Sequence, residues 1–325
     1  MEPIVIENIR SINPDEPDDF LILSLSWEDR CLGVAQRTKF YNSKFILINV
    51  YDNKTKKKEE NLKELHRLLK SKGTLKNISS KQSRPIDGII QMLNFIKNNS
   101  SNANPRISFD ISCFTRKHLL QLLNCLECNN LLRNTNFYYS QPTNYFIEHN
   151  STNAEGINSI SEIETFSGEN LSSRDTKLIL FLNFEGRRAT ALWQELQPHI
   201  TIPILPYPSV KKEWDIIVQN QNKLLLSTLN IRWEDIKKVN PLNTDDTKNL
   251  LIELTRNQEN YNFIIAPLGT KPQVLGIFKF WRLFQNEISI QYPSPIHYKD
   301  IPNTIFPTEK TWFIDKSSEW EVVDI

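Results

Sequence analysis

The sequence predicts an α/β fold built as two tandem units with mainly parallel sheets, related by internal duplication. Three observations carry this. Short apolar, β-rich runs alternate with Leu-rich helical periodicities along the chain, and parallel neighbours need such crossover connections. Leu21-Ile-Leu-Ser-Leu-Ser-Trp-Glu-Asp-Arg matches Leu178-Ile-Leu-Phe-Leu-Asn-Phe-Glu-Gly-Arg, which pairs Glu28 with Glu185 and Arg30 with Arg187. The plan of Arg106-Ile-Ser-Phe-Asp-Ile-Ser-Cys-Phe-Thr-Arg-Lys, an apolar run, a polar turn and a helix start, returns in Asn262-Phe-Ile-Ile-Ala-Pro-Leu-Gly-Thr-Lys. The markers keep their spacing, with 87 residues from Glu28 to Thr115 and 85 from Glu185 to Thr270. A fourth pair, Tyr139 to Tyr145 and Tyr292 to Tyr298, follows at similar intervals. Self-similarity in one order at near-equal spacing marks a repeat. Each half is expected to be a three-layer, Rossmann-like unit.

The elements follow in order. Residues 1 to 19 read as a polar arm or edge strand, and Phe20 to Ser26 as the first strand. Trp27 to Arg30 forms a turn into a helix reaching Gln36, and Phe45 to Tyr51 is the second strand. Lys54 to Glu60 opens a solvated helix whose Leu62, Leu65, Leu68 and Leu69 line one face. Thr74 to Ile78 is a third strand and Ile86 to Ile96 a helix. After the turn at 110–115, a helix to Leu132 and a strand from Asn136 to Ser140 complete the half. The Asn-, Ser- and Thr-rich stretch 146–176 holds the boundary near 170, giving halves 1–170 and 171–325. The second half repeats the plan: strand Leu178 to Asn183, helix Arg188 to Leu196, strand Ile202 to Leu205, and helices Glu213 to Leu229 and Asp246 to Arg256. Strand Phe263 to Ala266, helix Gln273 to Gln285 and strand Ser289 to Tyr292 follow. The Trp-bearing tail is expected to add a hairpin or strand.

Composition bounds the function. A net charge of +1 over 325 residues gives no global field for polyanions, which disfavours duplex nucleic acid as a partner. No apolar run approaches the ~20 residues needed to span a bilayer, and Met1 to Glu7 lacks a signal-peptide pattern. A cytoplasmic protein with no membrane partner is expected. Only 8 glycines occur, with no GxGxxG, GxxxxGK[ST] or GxSxG, so dinucleotide enzymes, P-loop NTPases and α/β-hydrolases are disfavoured and no cofactor is expected. Cys125-Leu-Glu-Cys128 lies in a helical pattern without a second ligand pair, which reads as a buried thiol pair and not a metal site.

Both marker turns fall at strand carboxyl ends, the ligand edge of parallel sheets. Ser26, Glu28, Arg30, Asp110, Ser112, Thr115, Arg116 and Lys117 stand there in the first half. Glu185, Arg187, Arg188, Gly269, Thr270 and Lys271 stand there in the second. Cations, hydroxyls and helix N-terminal amides together suit a phosphate or other anion. The two glutamates either hold Arg30 and Arg187 in ion pairs or accept from a ribose or base. Removing an exposed loop cation such as Arg116 or Lys271 is expected to change stability by no more than ~0.5 kcal/mol. Asp110 has no acidic counterpart in the second half, so the first half is expected to read the specific part of a ligand. His118 is expected to be structural, and no nucleophile–base–orienter set is visible, which leaves catalytic residues unassigned.

The Asp-Ile-Ser-Cys-Phe-Thr-Arg and Pro-Leu-Gly-Thr-Lys turns resemble the Asp-x-Thr-Gly-Gly-Thr-Lys turn of CARF domains, the cyclic-oligonucleotide sensors of CRISPR-associated proteins. Two such halves in one chain are similar to SAVED domains of anti-phage signalling effectors. Cys113 and Phe114 stand where that turn has glycines, and the second turn lacks the acid. The resemblance implies a sensor or regulatory subunit that binds a nucleotide-like, phosphate-bearing ligand between its halves and controls a separate effector protein. A nucleotide- or phosphodiester-processing enzyme using Asp110 and Glu28 is the first alternative. A ligand-free interaction subunit is the second. The oligomeric state stays open.

Overall fold

The computed structural model describes residues 18–37, 43–142, 154–209, 211–285, 287–298, 308–317 and 320. They belong to two compact units. One falls within Met1–Phe114, Leu126–Tyr145 and Thr304–Glu319. The other falls within Thr115–Cys125, Phe146–Asn303 and Trp320–Ile325. Residues 1–17 of the arm expected over 1–19 and the marker residues Thr143 to Tyr145 lie outside the described residues, while Asp18 and Asp19 open the first strand.

The first unit runs β1 (Asp18–Ser24), α1 (Gly33–Arg37), β2 (Ser43–Tyr51), α2 (Lys56–Leu69), β3 (Thr74–Ser80), α3 (Ile86–Asn99) and β4 (Ile107–Asp110). Helix α4 (Arg116–Cys128), whose residues up to Cys125 count with the other unit, leads in the chain to β5 (Thr135–Pro142). Every residue of β1 is buried, as a strand covered on both faces and paired on both edges must be. Its two leading aspartates are compensated. Asp18 pairs with Arg106 at 2.9 Å and accepts from the Ser108 hydroxyl, and Asp19 pairs with Lys44 at 2.8 Å. Helix α2 starts where the Thr55 hydroxyl accepts from the Lys58 amide. Its Leu65 and Leu69 join Leu21, Leu23, Ile46 and Ile48 in one apolar cluster.

The second unit opens with β6 (Ala154–Glu155) and β7 (Ser159–Glu162). It then runs β8 (Asp175–Phe181), α5 (Gly186–Leu196), β9 (Ile200–Pro206), α6 (Lys212–Thr228), β10 (Lys237–Val239) and α7 (Thr244–Thr255). It closes with β11 (Tyr261–Ala266), α8 (Lys271–Leu283), β12 (Ile288–Ser294) and β13 (His297–Tyr298), and β14 (Thr308–Lys316) follows in the chain. The order of the first six-stranded sheet is β14-β5-β4-β1-β2-β3, and that of the second is β10-β9-β8-β11-β12-β7. Read from opposite ends these are one arrangement. Five parallel strands stand in the order fifth, fourth, first, second, third, with an antiparallel strand added beside the fifth (β14 on β5, β7 on β12). The fold is α/β with two mainly parallel sheets, as the duplication predicted.

Three local expectations are corrected. Strands β6, β7, β10 and β13 were not foreseen, and β6 and β7 lie within the stretch read as boundary. Cys125 and Cys128 are not a buried thiol pair, since Cys128 is exposed and Cys125 half-buried. The first turn enters a 3-10 segment, Asp29–Leu32, before α1 begins. Among the described residues no helix is long and apolar enough to cross a membrane.

Strand order places the candidate residues. In the first sheet the chain leaves β1 toward β2 on one side, while β4, on the other side, continues outward to β5. β8 and β11 hold the same relation in the second. Loops diverge at such a switch point and leave a crevice at the strand carboxyl ends. The loop after β1 carries Ser26, Glu28 and Arg30, and the loop after β4 carries Asp110 and Ser112. The loops after β8 and β11 carry Glu185 and Gly269.

Candidate functional site

In the first unit the switch-point residues are tied to one another. The Glu28 carboxylate takes Arg30 in a bidentate pair, with Nη2 donating to Oε1 at 3.1 Å and Nε facing Oε2. Both side chains are largely buried, at 13% and 8% exposure. The Ser26 carbonyl accepts from Asn61 Nδ2 at 3.0 Å, and its hydroxyl accepts from the Glu28 amide at 3.2 Å. Asp110 is only 2% exposed. Its Oδ1 accepts from the Ser112 amide at 3.0 Å and from the Ser112 hydroxyl, whose oxygen in turn accepts from the Ser140 amide at 2.7 Å. Burial pushes the Asp110 carboxyl up to about 6, against the opposing pull of Ser112 and the Arg30 charge. Burial also raises the Cys113 thiol well above its usual range, which leaves it unreactive. Asp110 therefore stands inside this unit, holding the turn, and not on a ligand-facing surface.

The second unit is built differently. Glu185 is the N-cap residue of α5 but makes no side-chain cap bond. Its carboxylate instead meets Arg188 Nη1 at 2.8 Å and Arg116 Nη1 at 3.0 Å. Arg116 also donates from Nε to the Gly269 carbonyl at 2.8 Å. Arg188 donates to the Pro293 carbonyl and lies over the Tyr292 ring, 5.1 Å from its centroid. Burial alone would raise the Glu185 carboxyl, but Arg188, Arg116 and Lys271 together hold it below the usual carboxylate range. Burial would likewise raise the Tyr292 phenol, and the Arg188 and Arg116 charges outweigh it and hold the phenol low. Two arginines thus meet one carboxylate and act on one buried phenol, and the Lys271 charge adds to their pull on the carboxylate.

Both threonines of the repeated turns are helix caps. The Thr115 hydroxyl accepts from the His118 amide at 3.2 Å. The Thr270 hydroxyl accepts from the Gln273 amide, and the Gln273 carboxamide oxygen accepts from the Thr270 amide at 2.8 Å, closing a capping box. Thr270 also donates to the Pro241 carbonyl at 2.8 Å. The duplicated residues hold equivalent places, each three residues ahead of the amide it caps.

The structure thus gathers Arg116, Glu185, Gly269 and Lys271 around Arg188 and Tyr292. Arg187, expected to pair with Glu185, is exposed, and Arg188 takes its place. Glu185 and Arg188 are three residues apart on one helix and share a face, whereas a residue two positions along points elsewhere. Arg116 is not the exposed loop cation foreseen, with its side chain 12% exposed. Lys117 is half-buried. His118 is fully buried, and burial lowers its imidazole to about 3, so it stays neutral. The reading from sequence missed Tyr292 and Gln273 as parts of the site. The Thr-Lys-Pro-Gln spelling was the one available signal, for Gln273. Among the described residues no group of three or more His, Cys, Asp or Glu is placed to hold a metal ion.

Fold and site together define a doubly wound α/β protein with a duplicated sheet, in whose second unit Arg116 and Arg188 meet Glu185 at the switch point. No family model matches the chain, and no curated protein matches it. Among solved structures it is similar to a functionally unknown protein from Pseudomonas aeruginosa PAO1, at 8% identity and TM-score 0.24, covering 86% of this chain and 93% of that one. A putative universal stress protein from Pseudomonas aeruginosa UCBPP-PA14 gives 9%, 0.23, 86% and 94%. The cytoplasmic domain of a prokaryotic cation chloride cotransporter gives 8%, 0.28, 85% and 95%. Likeness at this level carries no ligand, activity or partner to this chain.

Proposed function

We propose that this chain is a sensor or regulatory subunit whose second unit binds a nucleotide-like, phosphate-bearing ligand at the β8/β11 switch point and thereby controls a separate effector. The observation that carries the reading is the gathering of cations there. Arg116, Arg188 and Lys271 face one carboxylate, Glu185, beside the N-terminus of α8. Partly desolvated guanidinium groups next to a helix N-terminus recognise phosphate oxygens by charge-assisted hydrogen bonds. The resemblance of the two turns to cyclic-oligonucleotide sensors supports an anti-phage setting. The enzyme reading has no comparable support, because Asp110 is committed to Ser112 and Glu28 to Arg30.

Calorimetric titration of the full chain with nucleoside mono- and triphosphates and with cyclic di- and trinucleotides tests the proposal. At least one should bind, and Lys271→Ala should weaken it roughly 10- to 150-fold, corresponding to about 1.5–3 kcal/mol for a charge-assisted contact. Plaque counts on hosts carrying the chain with its genomic neighbours test the setting. Lys271→Ala should abolish protection there. Absence of binding to every nucleotide, or full binding by Lys271→Ala, overturns the assignment.

A further inference from the structure

We propose that Gln273 is a specificity-determining residue of the second unit's site, its Nε2 donating to a phosphate oxygen of the ligand at the head of α8. The inference rests on the proposed function and assigns it a contact outside the residues expected to bind. Gln273 is fully buried. Its Oε1 accepts from the Thr270 amide at 2.8 Å, and this fixes which way the carboxamide faces. Turned over, its nitrogen would meet the Thr270 N–H donor to donor. Nε2 has no hydrogen-bond partner among the described residues. Buried N–H groups left without an acceptor are rarer in native proteins than carbonyls with an unused lone pair.

The surroundings say what acceptor this donor suits. A helix head binds anions through free backbone amides and the positive end of the helix dipole. In α8 the cap occupies amides that would serve. The Thr270 amide is held by Gln273 Oε1, the Gln273 amide by the Thr270 hydroxyl at 3.4 Å and the Val274 amide by the Thr270 carbonyl at 3.1 Å. Pro272 has no N–H. The dipole remains, and the carboxamide nitrogen is a donor that the cap leaves over. The residue type points the same way. Glu closes the same capping box, and its charge suits a helix N-terminus. A carboxylate there would offer oxygens alone and repel an anion, whereas Gln keeps the capping oxygen and adds a donor. Gly269 lets the carboxamide fold over the turn, since a Cβ there would stand 2.3 Å from Oε1. Arg116 donates to the carbonyl of that same Gly269, which sets a cation one residue from the cap.

The test compares wild type, Gln273→Glu and Gln273→Met by calorimetry with inorganic phosphate, adenosine and guanosine 5′-monophosphates and the two corresponding cyclic dinucleotides. Proton–nitrogen correlation spectra of the wild-type chain follow the Gln273 side-chain amide, assigned through its own backbone. Gln273→Glu keeps the oxygen that holds the Thr270 amide, so the chain should fold, and each probe that wild type binds should bind about tenfold more weakly or worse. Gln273→Met, of similar length and uncharged, should also weaken binding and serves if Gln273→Glu fails to fold. In wild type the Gln273 side-chain signal should move on saturation, with inorganic phosphate as with nucleotide. Because Nε2 is shut off from solvent, the Gly269–Thr270 turn has to shift to admit an oxygen, and its backbone amides should move too. If a nucleotide binds and both variants bind it as well as wild type, or the Gln273 signal stays still, the nitrogen serves structure or a buried water. The inference then falls while the proposed function stands. A signal that moves with nucleotide and not with inorganic phosphate overturns it as well, since Nε2 then reads a base or sugar. If wild type binds none of the probes, the inference falls, and failure of the wider nucleotide series then removes the proposed function too.

Discussion

Asp110 ends β4 with a carboxyl that burial lifts to about 6, and Asp18 at the start of β1 is lifted to about 6 by the same cause. A carboxyl raised above its unfolded value near 3.8 favours the folded state when protonated. That contribution is full below pH ~4 and lost as pH rises through ~6. Through these two carboxyls stability should fall between pH 4 and 6, while His118, which burial holds down to about 3, opposes them there because stability from a buried neutral imidazole is lost as pH drops. Asp110→Asn keeps an oxygen for the Ser112 amide and abolishes the cost of a buried charge. It should gain about 1–3 kcal/mol at pH 8 and remove the Asp110 share of the slope, leaving those of Asp18 and His118. Urea midpoints at pH 4 and 8 measure this, and a loss of stability at pH 8 would show that Asp110 is worth more ionised beside Arg30. Arg116→Ala should cost about 1–3 kcal/mol and not the ~0.5 of a surface cation, because Glu185 loses one of two partners at low exposure. At this scale the sequence disclosed which residue types gather at the strand ends. It did not disclose that Arg116 would meet Glu185, 69 positions away, because no periodicity encodes a pairing between distant turns.

Helix starts make the site geometry reproducible. Thr270 fixes the head of α8 with a reciprocal bond to Gln273, and the Thr-Lys-Pro-Gln spelling carries the capping signature, with Pro in the first turn. Thr270→Ala should cost about 0.5–2 kcal/mol in thermal or urea unfolding. An unchanged midpoint would mean that Pro241 and Gln273 leave the helix start indifferent to the hydroxyl. Gly186 heads α5 where a Cβ would stand 1.9 Å from the Gln221 carbonyl of α6. Gly186→Ala should push these helices apart at about 1–3 kcal/mol and disturb Glu185 with it, read as weaker phosphate binding than Thr270→Ala shows. Buried central elements were legible because their apolar runs are long. The edge strands β10 and β7 were not, although β3 was. β10 spans three residues and β7 alternates exposed with half-buried positions, as a strand paired on one side does.

Across the whole molecule, one five-strand order occurs twice, and each copy is completed by a strand drawn from outside it. The duplication was readable from four spaced markers, and the Trp-bearing tail was expected to add the strand that β14 supplies, whereas β7 and the partners of both completing strands were not readable, because pairing an edge requires backbone complementarity and no particular side chains. For the second sheet the completing strand β7 precedes β8, so it is present before its partner β12 is made. For the first sheet it is β14, which pairs antiparallel with β5 from Lys316↔Asn136 to Thr308↔Pro142 and follows every strand of the second unit. Deleting residues 308–316 should collapse amide-exchange protection in β5 and β4 while β8 and β11 keep theirs. Equal loss in both units, or none, would refute that dependence. During synthesis at ~5–20 residues per second, the half translated first waits for about 166 residues after Pro142, or roughly 10–30 s, before its last strand exists. The part of the chain that leaves the ribosome earliest is therefore the last to be finished, with an unpaired edge that invites chaperone holding until the later half has already folded.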